Sequence, residues 1–108
     1  MEDWDIARIV GDYADAAERM KEAGVDGIEF EAYGHLMDQF WSPRTNDLDA
    51  PWGGSIENRL RFAFDVLRAV RDRCGPGLLL GVRYAGDEMA KGGLTREDGL
   101  AISRMLRD

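Results

Sequence analysis

Two short stretches carry residue types that could do chemistry: Glu31-Ala32-Tyr33-Gly34-His35 and Arg83-Tyr84-Ala85-Gly86-Asp87. A carboxylate two residues from a phenol, Glu31 and Tyr33, can hold an ammonium group by charge and hydrogen bonding, and the aromatic face adds cation–π attraction. His35 is the only histidine, open to a catalytic role or to a structural hydrogen bond. Glu31 also reads as a solvated strand-end acid, Tyr33 as loop packing and Arg83 as a structural ion-pair partner. Glu29 and Glu31 point the same way if they lie on a strand. With His35 and Asp38 they then form an oxygen and nitrogen set for a metal-assisted hydrolase. The absence of further histidines weakens that alternative, and no metal is expected. Asp38, Gln39 and Trp41 read as residues that fix the loop.

These residues need elements to position them. Ile6, Ile9, Val10, Tyr13, Ala17 and Met20 recur at helical spacing, and Gly24 ends that helix. Val25 to Glu31 reads as a strand, with Ile28 and Phe30 alternating with acids. From Ala32 to Gly54 the chain is loop-like, with one short helical turn expected around Leu36 to Phe40. Ser55 is a plausible N-cap for a helix whose apolar face is Ile56, Leu60, Ala63, Phe64, Leu67 and Val70. Gly75-Pro76-Gly77 breaks it, and Leu78 to Tyr84 reads as a buried strand. Thr95 and Asp98 form a capping-box pattern that opens a last helix through Ile102 and Leu106. Gly53 and Gly54 read as a tight turn feeding a helix, since glycine tolerates backbone angles that other residues avoid.

The order is helix, strand, helix, strand, helix, which favours a parallel sheet with helical crossovers. In parallel barrels the functional groups gather where strands end and βα loops begin, and both chemical stretches fall at such places. A closed eight-stranded barrel takes about 250 residues, and this chain has 108. The expectation is a fragment of a (β/α)8 TIM barrel, of class α/β, over residues 1–108 with no second domain. A net charge of −7 and a pI near 4.7 argue against nucleic acid or an anionic membrane, which call for basic surface. No apolar run approaches the roughly 20 residues of a membrane span, and the start lacks the pattern of a signal peptide. A cytoplasmic setting is the default expectation. Cys74, the only cysteine, reads as an inert packing or surface thiol.

Beyond these patterns, an ordered set of motifs resembles the old yellow enzyme family. Gly27-Ile28-Glu29-Phe30 and the run from Gly34-His35-Leu36-Met37-Asp38-Gln39-Phe40-Trp41 to Ser42-Pro43 are similar to its fourth-strand region. Thr45-Asn46 and Trp52-Gly53-Gly54-Ser55-Ile56-Glu57-Asn58-Arg59 follow, and then Gly81-Val82-Arg83 at the position of the fifth strand. The resemblance implies an FMN-binding barrel in which this chain supplies the fourth and fifth βα units. It places Arg83 beside the pyrimidine end of the flavin, where a guanidinium stabilises the negative charge that reduction leaves. It also implies a departure: Glu31 and Tyr33 occupy the positions of the family's usual imidazole or amide clamp, and His35 that of its tyrosine.

The run Glu-Ala-Tyr-Gly-His-Leu-Met-Asp-Gln-Phe-Trp is similar to the branch that demethylates N-methylated amines and amino acids. The implied reaction is hydride transfer between substrate and flavin, with Glu31, Tyr33 and His35 at the substrate. The implied partners are a small molecule, with a cationic methylated amine as the class this branch implies, and NAD(P)H or another electron carrier. Relatives of this branch often add a 4Fe–4S cluster and a second nucleotide site, which one cysteine cannot supply. An ene-reductase or NADH:flavin oxidoreductase of the same family is the alternative, as is a non-catalytic barrel fragment. On its own the 108-residue chain is expected to be inactive.

Overall fold

The structure, a computed structural model, describes residues 1–108. Its elements are α1 (Asp3–Glu22), β1 (Gly27–Ala32), α2 (Met37–Trp41), α3 (Ile56–Cys74), β2 (Leu79–Tyr84) and α4 (Arg96–Arg107). α1 starts three residues before Ile6, the first residue of the apolar stripe. Asp3 and Asp5 in its first turn and Arg19 and Lys21 in its last complement the helix dipole. The Asp5 carboxylate also accepts the Glu2 N–H at 3.0 Å. Gly24, with φ of +95°, turns the chain out of α1 toward β1.

β1 and β2 are neighbours in a two-stranded sheet. The Leu79 N–H donates to the Asp26 carbonyl at 3.0 Å, so the first residue of β2 bonds just ahead of the first residue of β1. That pairing of like ends makes the strands parallel, with the α3 segment as their crossover. Gly27 and Leu79 lie opposite each other. A Cβ on Gly27 would come within 2.7 Å of Leu79 Cβ and 2.9 Å of its carbonyl oxygen, so only glycine fits there. Steps of two from that pair set Glu31 beside Arg83 on the same face.

Only one face of this sheet is covered. Phe30 and Ala32 are buried, whereas Glu29, Glu31, Gly81 and Arg83 are exposed and Leu79 is 71% exposed. The sequence predicts a buried β2, and the difference lies in this open face: Leu79, Gly81 and Arg83 are exposed.

Two compact units result. The first comprises residues 1–30 and 62–82. Ile6, Ala14, Ala17, Phe30, Phe62, Val66 and Val70 are buried in it. The Tyr13 ring meets Phe30 at 6.0 Å and Phe62 edge-on at 6.3 Å between centroids. Cys74 is buried, which decides between the packing and surface readings. Its carbonyl, at the end of α3, accepts from Lys21 Nζ at 2.6 Å. Arg73 bridges to Asp15 at 2.7 Å and Glu18 at 2.9 Å. Those two hydrogen bonds, Asp15 first, hold the guanidinium's pKa above its ordinary value.

The second unit comprises residues 31–61 and 83–108. Met37, Phe40, Trp41, Leu60, Leu94 and Ile102 are buried in it, and Trp41 meets Tyr84 edge-on at 5.5 Å. Ser55 does cap α3, its Oγ accepting the Asn58 N–H at 3.2 Å. Thr95 and Asp98 form the expected reciprocal box at α4. No helix is long and apolar enough to cross a membrane.

Candidate active site

Glu31 stands one residue before the end of β1, and the chain then bends through Tyr33-Gly34-His35-Leu36 into α2. The bend needs a left-handed residue at Gly34, whose φ is +74°. A side chain there has room, since an added Cβ meets nothing within 4 Å; backbone conformation alone selects glycine. The bend folds His35 back over the strand end, so that His35 Nε2 lies 3.3 Å from Glu31 Oε2. His35 is 65% and Glu31 54% exposed. An exposed pair of this kind contributes about 0–1 kcal/mol to stability, so the contact matters for where the carboxylate points. Tyr33, two residues after Glu31 in the chain, is 61% exposed.

Asp38 anchors the bend. Its two carboxylate oxygens accept the Gly34 and His35 backbone N–H groups, each at 2.9 Å. Met37 and Trp41, both buried, fix the short helix that carries it. Gln39 contributes through its carbonyl, which accepts from Thr45 Oγ1 at 2.8 Å. The loop-fixing reading of Asp38, Gln39 and Trp41 agrees with these contacts. Arg83 is exposed at the end of β2, on the uncovered face that it shares with Glu31. Glu29, Glu31, His35 and Asp38 do not come together as a group that could hold a metal ion.

The long loop is held by residues that periodicity does not reveal. Asn46 Nδ2 donates to the Phe40 carbonyl at 2.7 Å and the Trp52 carbonyl at 2.9 Å, and its Oδ1 accepts the Leu48 N–H at 2.9 Å. Asn58 Nδ2 reaches the Gly53 carbonyl at 3.0 Å. Gly53 is required by proximity: an added Cβ would lie 2.0 Å from the Leu48 carbonyl oxygen. Gly54, with φ of +92°, is required by conformation. One local signal points to Asn46, because asparagine readily accepts the backbone N–H two residues on.

The sequence model of the NADH:flavin oxidoreductase / NADH oxidase family matches residues 1–106. The chain belongs to this family. It is 60% identical, over all 108 residues, to the "Probable N-methylproline demethylase" of Rhizobium meliloti (strain 1021), and covers 16% of that protein. It is 50% identical over 99 residues to the "N,N-dimethylglycine/sarcosine dehydrogenase" of Chromohalobacter salexigens, covering 91% of this chain and 14% of that one. Among solved structures it matches a 2-naphthoyl-CoA reductase with a TM-score of 0.92 and 33% identity, over 97% of this chain and 16% of that one. The chain therefore spans about a sixth or less of the length of these relatives. Its helix–strand order is that of a portion of the family's (β/α)8 barrel.

FMN is the cofactor that this membership carries. The donor chemistry of Arg83 fits it. A permanently charged guanidinium at a strand end, on an open sheet face, suits the electron-rich end of a flat ring that gains negative charge on reduction.

Proposed function

We propose that the protein carrying this chain is an FMN-dependent oxidoreductase that oxidatively demethylates a cationic N-methylated amine or amino acid. The observation that carries the proposal is the Glu31–His35 pair at 3.3 Å, beside Tyr33 at the end of a barrel strand. A carboxylate and a phenol suit an ammonium group, whereas a neutral enone oxygen calls for neutral or cationic donors. The relatives named for N-methylproline demethylation and for N,N-dimethylglycine/sarcosine dehydrogenation support the same class.

When bound, FMN supplies the two-electron acceptor. Glu31 accepts the substrate's N–H hydrogen bond and, with His35 alongside, provides for the proton that must leave before the nitrogen lone pair can assist oxidation. The N-methyl carbon then loses hydride and becomes an iminium. Water adds to that carbon, and cleavage of the C–N bond gives formaldehyde, the demethylated amine and a proton. Tyr33 orients the nitrogen through its hydroxyl and ring. Arg83 would hold the flavin's pyrimidine end, and NAD(P) or another electron carrier would be the protein's second partner.

In the full-length protein, Glu31→Gln keeps the shape of the side chain and removes its charge. KM for N-methylproline should rise by about ten-fold or more, the loss expected for a charge-assisted hydrogen bond of about 1.5–3 kcal/mol. Tyr33→Phe should act more on kcat. An unchanged KM in Glu31→Gln would count against Glu31 as the cation ligand.

A further inference from the structure

We propose that Asp38 is a positioning residue for the candidate site: it aims Glu31 by holding the backbone from which His35 reaches it. The inference rests on the reading of Glu31 as the substrate's cation ligand and adds the device that sets its direction.

Glu31 and His35 are joined by a short arc with two fixed ends. At one end β1 holds the backbone of Glu31, and the next residue, Ala32, is buried. At the other, α2 is pinned by buried Met37 and Trp41. Asp38, carried on α2, spends both carboxylate oxygens on the arc, accepting from the Gly34 and His35 N–H groups at 2.9 Å each. Both are hydrogen bonds to a charged acceptor, the stronger kind. Between the anchors Tyr33, Gly34 and His35 are all exposed, so packing does not hold them, and Gly34 at φ +74° adds little conformational resistance of its own. The carboxylate of Asp38 is thus the specific restraint on the orientation of His35, and His35 Nε2 lies 3.3 Å from the Glu31 carboxylate. Asparagine, of the same shape, cannot reproduce the arrangement. Its amide oxygen can take one N–H, but its NH2 group would then face the second donor.

The test compares the full-length wild-type holoenzyme with Asp38→Asn, Glu31→Gln and the double variant. Two readouts are used: carbethoxylation of His35 by diethyl pyrocarbonate, followed by peptide mass mapping, and steady-state kinetics with N-methylproline. Asp38→Asn should speed His35 modification by about two- to ten-fold, the population change that losing one hydrogen bond allows. It should also raise KM, and that increase should disappear when Glu31 is already Gln. A merely structural role would instead lower kcat and flavin retention and add independently to the Glu31→Gln effect. Unchanged modification of His35 in Asp38→Asn would overturn the proposal, as would additive effects on KM. If Asp38→Asn does not give folded holoenzyme, Asp38→Glu moves the same carboxylate by one methylene, and the same modification rate decides. Faster His35 modification together with an unaltered KM in Glu31→Gln would sink the function proposed above while upholding the positional link. The opposite pattern would sink the link alone.

Discussion

Two glycines in helices should respond to alanine with opposite signs. Gly11 lies in the middle of α1, and a Cβ there would meet nothing within 4 Å. Glycine in a helix interior costs about 0.8–1 kcal/mol relative to alanine, so Gly11→Ala should stabilise the fold by up to roughly that amount. Gly99 lies in the first turns of α4, where propensity alone predicts the same gain. There, however, the new Cβ would sit 2.0 Å from the Gly86 carbonyl oxygen and 2.7 Å from its carbon. Both obstacles are backbone, so the helix and the loop after β2 must separate by about 1 Å or more to reach van der Waals distance. Forced repacking of this kind typically costs about 1–3 kcal/mol. Subtracting the propensity gain leaves a net loss of roughly 0–2 kcal/mol, and the two variants should differ by about 1–3 kcal/mol. Chemical denaturation of the full-length protein, followed by circular dichroism, measures both. Equal stabilisation by the two substitutions would refute the packing of α4 against Gly86.

Burial raises the Tyr13 phenol above its ordinary pKa, so in the window above about pH 10 the unfolded chain has released a proton that the folded chain keeps. Stability that is fully present below that window is therefore lost as pH rises through it. Tyr13→Phe should flatten the decline in an unfolding series from neutral to strongly alkaline pH, and an identical slope would remove Tyr13 as its source. Arg83→Met in the full-length protein should slow flavin reduction by about ten- to a hundred-fold while the flavin is largely retained. Stopped-flow reduction at the wild-type rate would take Arg83 out of the mechanism.

Much of the fold was legible in the sequence because periodicity and caps act locally. The apolar stripe from Ile6 to Met20, the Ser55 cap and the Thr95–Asp98 box mark three helices that the structure contains. The early start of α1 was not legible from its stripe, since Asp3 and Asp5 act there by charge and carry no apolar period. The open face of β2 was equally hidden: Leu78-Leu79-Leu80 reads as buried on both sides, and whether a second layer covers a strand is a tertiary matter. Glu31, Tyr33, His35 and Arg83 were legible as types at strand ends. Their arrangement was not, because it depends on side chains that bond to backbone across a loop without repeat. Asp38 reaches back to Gly34 and His35, and Asn46 ties Phe40 to Trp52. Gly53 is explained only by its approach to Leu48, six positions before Gly54 ends the turn.

The most direct test of the account is the substrate class. The full-length holoenzyme, mixed without oxygen with N-methylproline, dimethylglycine or 2-cyclohexenone, is followed by the visible absorbance of its flavin and by formaldehyde release. The account predicts bleaching and stoichiometric formaldehyde with a methylated amine, and poor turnover of the enone by enzyme reduced beforehand. Rapid enone reduction with no bleaching by either amine would contradict the demethylase reading and leave the flavin barrel intact.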